Sequence, residues 1–136
     1  MRKLILTKKW FTLIVLSTFI FTIGLTQNDD WEAPAEYQSM KNPMEANTES
    51  IDLGKELYAT HCKACHGKFG EGDGPKAEEL DSSCGDFTEE KFGAQSDGSI
   101  FYKTKIGRED MPSFGKKIPD EEDIWHVVNY IRTLAE

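Results

Sequence analysis

The sequence predicts an all-α domain in the C-terminal part of the chain. Apolar residues recur at helical spacing near both ends of residues 51–136, and no stretch alternates apolar and polar residues as a half-buried strand would. The chain has 136 residues, of which 38% are hydrophobic, which is enough for one compact domain and too little for two. We therefore expect one small helical domain rather than a multi-domain enzyme.

The charge of the chain argues against nucleic acid as a partner. After residue 26 the sequence carries 12 Lys or Arg residues against 24 Asp or Glu residues. Binding to DNA or RNA requires clustered Lys and Arg side chains that replace the counterions of the phosphates. We therefore expect no nucleic acid among the partners.

Residues 1–26 have the pattern of an export signal or a membrane anchor. Four basic residues within positions 1–9 precede 17 uncharged residues, from Trp10 to Thr26. This length is at the lower limit for a membrane-spanning helix, and the residues around Gly24 and Thr26 match a cleavage site poorly. The sequence thus predicts either an anchor in the inner membrane through residues 10–26 or a removed signal peptide. Both alternatives place the rest of the chain on the periplasmic side.

Residues 27–50 are predicted to be a linker, because they contain Pro34, Pro43 and several Asn residues without a sustained apolar period. A tether of this kind would let an anchored domain move between neighbouring proteins. Trp31 and Tyr37 are more apolar than a solvated linker requires, which indicates that part of the segment lies against the domain at 51–136.

The first helix of the domain is predicted from Asp52 to Lys63, because Leu53, Leu57 and Tyr58 recur on one side. Gly54 interrupts this pattern at a cost of about 1 kcal/mol relative to Ala, which indicates that another element approaches the backbone closely. A glycine-rich loop follows at residues 67–74.

Three further helices are expected. Weak patterns predict short helices at residues 76–80 and 97–106. The last helix is clearer, because Asp120 can cap it and acidic residues occupy its first turn. Its apolar face is formed by Ile124, Val127, Val128, Ile131 and Leu134.

The segment from Cys62 to His66 has the spacing C-x-x-C-H, which is the attachment signature of haem c. Two thiols three positions apart at a helix end can reach one edge of the porphyrin, and the next residue presents an imidazole to the iron. The motif predicts thioether bonds through Cys62 and Cys65 and an axial bond from His66. Thioethers to haem are made outside the cytoplasmic membrane, so the motif and the N-terminal segment agree.

The cysteines allow three other interpretations. A thioredoxin-like motif requires a βαβ context, which the sequence lacks. A zinc site could be drawn with Cys84 as the fourth ligand, but Cys84 has no second ligand pair near it. A simple disulfide between Cys62 and Cys65 is the third alternative. Cys84 itself is an odd third cysteine whose role the motif does not explain.

Residues 51–136 resemble a class I monohaem cytochrome c. Gly54 and Tyr58 stand eight and four residues before the first haem cysteine, as they do in that family. The resemblance implies that the first and last helices cross at Gly54, against an aromatic side chain of the last helix, either Trp125 or Tyr130. These helices would enclose one covalently bound haem.

The resemblance also identifies two residues around the iron. Met111 precedes a proline on a loop 45 residues after His66, as the axial methionine of the family does. The carbonyl of Pro75 would accept a hydrogen bond from the imidazole of His66 and fix its orientation. The walls of the haem crevice are expected from Phe87, Phe92, Phe101, Tyr102, Ile106 and Phe114.

An iron atom bound by His66 and Met111 has no open position for substrate, so the sequence predicts an electron carrier that cycles between Fe(II) and Fe(III) rather than an enzyme. Its partners would be redox proteins of a respiratory chain, which family members contact through lysines around the haem edge. Two alternatives remain. The chain could be the haem c subunit of a larger membrane oxidoreductase complex. It could also be a haem-based sensor or peroxidase-like protein with an open sixth site, which requires Met111 to lie away from the iron.

Overall fold

The computed structural model describes residues 31–135. The predicted signal or anchor at residues 1–26 lies outside these residues, as does the start of the predicted linker. Within residues 31–135, no helix is both long enough and apolar enough to cross a membrane.

The described residues form a small all-α domain, as the sequence predicts, and the only β feature among them is an isolated bridge between Arg108 and Met111. A single 3₁₀ turn lies at Ala77–Glu79. The helices are α1 (Ala35–Gln38), α2 (Thr48–His61), α3 (Lys63–His66), α4 (Glu90–Gly93), α5 (Asp97–Ile106) and α6 (Glu121–Leu134).

Helices α2 and α6 cross at Gly54, where the absence of a side chain lets the two backbones touch. A Cβ atom at this position would lie 2.0 Å from the carbonyl oxygen of His126 and 2.9 Å from the Cβ atom of Tyr130. One turn further along α2, the ring of Tyr58 lies 5.2 Å from the ring of Tyr130. Of the two aromatic candidates Tyr130 therefore packs at the crossing, whereas Trp125 stacks on Phe101 of α5 at 4.1 Å.

The boundaries of the other helices follow from their caps. Helix α6 begins as predicted, because the Asp120 carboxylate accepts a hydrogen bond from the backbone N–H of Glu122. Helix α2 begins four residues earlier than the predicted Asp52, because the Asn47 side chain caps it by accepting from the N–H of Ser50 at 2.9 Å. The helix predicted at residues 97–106 is α5, but residues 76–80 contain only the 3₁₀ turn.

Part of the linker predicted at residues 27–50 packs against the domain, as the apolar character of Tyr37 indicates. Ala33 is buried, and the ring of Tyr37 lies 4.8 Å from that of Tyr102 on α5. The Asn42 side chain donates to the side-chain oxygen of Asn129 on α6 at 2.7 Å. Apolar contacts and polar partners on α5 and α6 therefore hold this segment in place.

A buried polar cluster joins this segment to both long helices. The Asn129 amide donates to the hydroxyl of Ser50 at 2.7 Å and to the carbonyl of Met44 at 3.2 Å. The Ser50 hydroxyl also lies 2.7 Å from Nδ1 of His126. All three side chains are buried, and each has a partner, as stable buried polar groups require.

Candidate functional site

One helical turn carries the C-x-x-C-H residues, where α2 ends and α3 begins. The backbone N–H groups of Cys65 and His66 both donate to the carbonyl of Cys62, at 3.1 and 3.0 Å, so the two cysteines and the histidine follow a single turn. Cys62 is buried and belongs to the hydrophobic core, whereas Cys65 and His66 are half-buried. Cys62, Cys65 and Cys84 form no disulfide with one another.

The glycine-rich loop covers the backbone of this turn. The N–H groups of Gly72 and Gly74 donate to the carbonyls of His66 and Cys65, at 3.0 and 3.1 Å. A side chain at Gly74 could not be accommodated, because its Cβ atom would lie 2.4 Å from the carbonyl oxygen of Ala64. The loop therefore needs its glycines to lie directly on the turn, and Pro75 follows at an exposed position.

The Tyr58 hydroxyl anchors the start of this loop. It donates to the carbonyl of Gly67 at 2.8 Å. Burial raises the pKa of Tyr58 above its ordinary value, so the phenol stays protonated and remains a donor at neutral pH. Tyr58 thus links the packing of α2 to the position of the C-x-x-C-H turn.

The imidazole of His66 is prepared to bind a metal. Its ring stacks on that of Phe87 at 4.7 Å, and its Nδ1 atom is buried without a hydrogen-bond partner. Burial lowers the pKa of His66, and a hydrogen bond with the backbone of Cys84 partly opposes this shift. The neutral imidazole, which is the form that coordinates metals, is therefore favoured.

The residues at this site fit a covalently attached haem. A neutral imidazole follows directly after two free thiols, and an unpartnered buried ring nitrogen indicates a site that is completed by another group. Because Nδ1 has no partner, the hydrogen bond to the Pro75 carbonyl that the resemblance implies is not made by this atom, and the role of Pro75 stays a prediction.

Met111 lies on a tight turn that the backbone holds at both ends. The N–H of Arg108 donates to the carbonyl of Met111, and the N–H of Met111 donates to the carbonyl of Arg108, both at 2.9 Å. The Met111 side chain is half-buried and packs against the hydrophobic core. After it, the N–H of Phe114 bonds to the carbonyl of Thr104 and ties the loop to α5.

Two residues that the sequence reasoning missed connect the Met111 turn to another loop. The Asp110 carboxylate accepts hydrogen bonds from both the backbone N–H and the hydroxyl of Ser82, each at 2.9 Å. These bonds lower the pKa of Asp110. The only sequence signal for this contact is that Ser82 and Asp110 are both polar, because no local pattern relates residues that are 28 positions apart.

Cys84 lies close to the proposed haem residues. Its backbone neighbours the ring of His66, and burial and the Cys65 thiol raise the pKa of the Cys84 thiol. The four side chains of the alternative zinc site are not assembled as one, since residues 31–135 contain no group of three or more His, Cys, Asp or Glu side chains arranged to hold a metal ion.

The predicted crevice residues differ in burial. Phe87, Phe101 and Phe114 are buried, and Phe92 stacks on Phe87 at 4.4 Å. Ile106, at the last position of α5, is 46% exposed, and the place of these six residues in a haem crevice stays a prediction.

Exposed cations and an exposed aromatic ring flank the C-x-x-C-H turn. The Lys68 ammonium lies 5.0 Å from the centre of the Phe69 ring, which is 56% exposed. Lys105, by contrast, pairs with Glu121. Four further lysines are exposed and available for docking to a redox partner: Lys63, Lys76, Lys116 and Lys117.

Comparisons with known proteins identify relatives of this chain. The sequence profile of the cytochrome c family matches residues 51–135. The chain is 31% identical to a cytochrome c6 of Gracilaria tenuistipitata var. liui over 86 residues, which are 63% of this chain and 74% of that protein.

A solved structure is also similar. It is a chain of a reducing HAO-like protein complex of Kuenenia stuttgartiensis, with 32% identity and a TM-score of 0.62. The match covers 69% of this chain and 47% of the other, so this chain spans about half the length of its structural relative.

Proposed function

This chain belongs to the cytochrome c family, and on that premise we propose that it is an exported electron carrier of a respiratory chain. The family binds haem c covalently, and Cys62 and Cys65 are the cysteines that attach it here. The observation that carries the proposal is the C-x-x-C-H turn, with its buried and unpartnered His66 nitrogen beside two free thiols.

His66 and Met111 are the two proposed ligands of the iron. His66 would hold the iron through its neutral imidazole, and Met111 would hold it through its thioether, from a turn that backbone hydrogen bonds fix. A haem with both axial positions filled exchanges one electron without binding substrate. Burial of Phe87 beside His66 excludes water from that side, and such apolar surroundings influence the reduction potential.

A spectroscopic experiment tests this assignment. The wild-type protein should keep its haem on a denaturing gel and show, when oxidised, the weak far-red charge-transfer band of a methionine–iron bond. Met111→Ala should keep the covalent haem, lose that band and bind carbon monoxide when reduced. Met40→Ala is the matched control, because Met40 is 39% exposed in the segment before α2, and it should behave as wild type.

Two results would contradict the proposal. A far-red band that persists in Met111→Ala would show that another group binds the iron. A wild-type protein without the band that binds carbon monoxide would instead support the sensor or peroxidase-like alternative.

The exported location is part of the proposal and rests on residues 1–26. We propose that the domain faces the periplasm and is either anchored in the inner membrane or released by cleavage. The intact mass of the protein purified from membranes distinguishes the two: loss of the residues before about position 26 establishes cleavage, and the full mass establishes the anchor.

A second candidate function is that of an electron-transfer subunit in a larger oxidoreductase complex. The similar Kuenenia stuttgartiensis chain belongs to such an assembly, which favours this alternative. Purification in mild detergent separates the two proposals. A fixed stoichiometry with an enzyme subunit supports the complex, whereas an isolated monomer that exchanges electrons with several redox proteins supports the mobile carrier.

A further inference from the structure

The turn that carries Met111 is fastened to the protein through its neighbour Asp110. The Asp110 carboxylate accepts two hydrogen bonds from Ser82, one from the backbone N–H and one from the hydroxyl. Hydrogen bonds to a charged acceptor are stronger than those between neutral groups. Ser82 therefore restrains the residue immediately before the proposed ligand.

The segment after Ser82 lies on the His66 side of the site. The N–H of Phe87 donates to the carbonyl of Gly70 at 2.7 Å, and the Phe87 ring stacks on His66. At Gly72, a Cβ atom would lie 2.5 Å from the carbonyl oxygen of Gly85, so the segment touches the glycine-rich loop. Ser82 thus belongs to a segment that packs against His66.

The backbone of the Met111 turn is so constrained that its residues move together. Glu109 has a φ of 53°, which is unfavourable for a residue with a side chain, and Gly107 has a φ of 72°. A Cβ atom at Gly107 would lie 2.4 Å from the carbonyl oxygen of Met111. A displacement of Asp110 is therefore transmitted to Met111 through the backbone.

We propose that Asp110 and Ser82 form a clasp that joins the Met111 loop to the His66 side, and that Asp110 is a positioning residue that keeps Met111 on the iron. This inference rests on the proposed function, because it requires Met111 to be the sixth ligand. Opening the clasp increases the fraction of time in which the Met111 position is free. An external ligand then enters more readily, although neither Asp110 nor Ser82 touches it.

Replacement of Asp110 by Ala tests the clasp, with two readouts on the holoprotein. The first is the intensity of the far-red band, and the second is the rate at which imidazole displaces the methionine from the oxidised protein. Asp110→Ala should weaken the band and raise the displacement rate about 3- to 10-fold, as expected for the loss of hydrogen bonds in contact with water.

Two further variants test the geometry. Ser82→Ala, which keeps the backbone bond, should raise the rate by a smaller factor. Asp110→Asn, which keeps an acceptor oxygen, should restore part of the wild-type behaviour. These variants also serve if Asp110→Ala fails to fold.

Asp120→Ala is the matched control. The Asp120 carboxylate also accepts a hydrogen bond from a backbone N–H at an exposed position, that of Glu122 at the start of α6, and it belongs to neither half of the clasp. This variant should leave the band and the displacement rate unchanged. An equal effect of Asp120→Ala and Asp110→Ala would overturn the clasp, because it would indicate general loosening of the domain.

The remaining outcomes separate the clasp from the proposed function. If Met111→Ala loses the far-red band while Asp110→Ala behaves as wild type in both readouts, the clasp is wrong and the ligand assignment stands. If Met111→Ala retains the band, the ligand assignment fails, and the clasp fails with it.

Discussion

The contact at Gly54 makes a quantitative prediction for the substitution Gly54→Ala. The added methyl group would lie 2.0 Å from the carbonyl oxygen of His126, so the two atoms would have to separate by about 1.4 Å to reach an ordinary contact of 3.4 Å. Both groups belong to helical backbones, and the Cβ atom of Tyr130 blocks a sideways shift at 2.9 Å. Helices α2 and α6 must therefore move apart.

The size of the effect follows from two opposing contributions. Ala is favoured over Gly inside a helix by about 1 kcal/mol. Overpacking a close contact typically costs about 1–3 kcal/mol, and displacement of two helical backbones places this case at the upper end. We expect a net loss of about 2 kcal/mol in the free energy of unfolding, which lowers the melting temperature of a domain of this size by roughly 8–16 °C.

Thermal unfolding followed by far-UV circular dichroism measures this loss. Gly93→Ala is the matched control. Gly93 is also a glycine in a helix, but no atom lies within 4 Å of the position that an added Cβ atom would occupy. It should change the melting temperature little. A Gly54→Ala protein that melts within about 2 °C of wild type would refute the argument, since the conflict with a backbone carbonyl could then be relieved without cost.

Two further predictions concern polar groups. Asn129→Ala should lower the free energy of unfolding by about 2–3 kcal/mol in guanidinium titrations, because it leaves buried partners unpaired, whereas Thr133→Ala at an exposed position of α6 should cost much less. Equal losses in the two variants would contradict this. The hydroxyl and then the N–H of Thr88 lower the pKa of Asp86 below its ordinary value of 3.8, so this contribution to stability is present at neutral pH and is lost as the pH falls through the folded-state pKa. An NMR titration of the reduced protein should find a pKa below 3.8 that rises in Thr88→Val, and an unchanged value would contradict the assignment.

The parts of the fold that local patterns determine were predictable. Asp120 and the spacing of the apolar residues after it predict where α6 lies, and the C-x-x-C-H spacing predicts the turn that attaches the haem. The apolar residues predict a start of α2 at Asp52, whereas the helix begins at Thr48. Its real signal is polar: Asn47, three positions before Ser50, is a favourable capping residue.

Long-range polar contacts were not predictable from the sequence. Asn42 and Asn129 are 87 positions apart, and an asparagine between proline-containing stretches is typical of a loop until its partner is known. For the same reason the sequence predicts a linker at residues 27–50 and does not show which of its residues contact the domain. The bonds from Ser82 to Asp110 cross 28 positions and depend on the arrangement of two irregular loops, for which the sequence has no periodic signal.

The pairing of the first long helix with the last one also sets the order of folding steps. His66 precedes Glu121, the first residue of α6, by 55 residues, so α2 cannot complete its packing until the C-terminal part of the chain is present. Helix α2 has only 14 residues and contains Gly54, so it is marginally stable in isolation. Until the C-terminal helix docks, the thiols of Cys62 and Cys65 therefore belong to a largely unfolded segment, and Cys62 becomes buried in the core only afterwards.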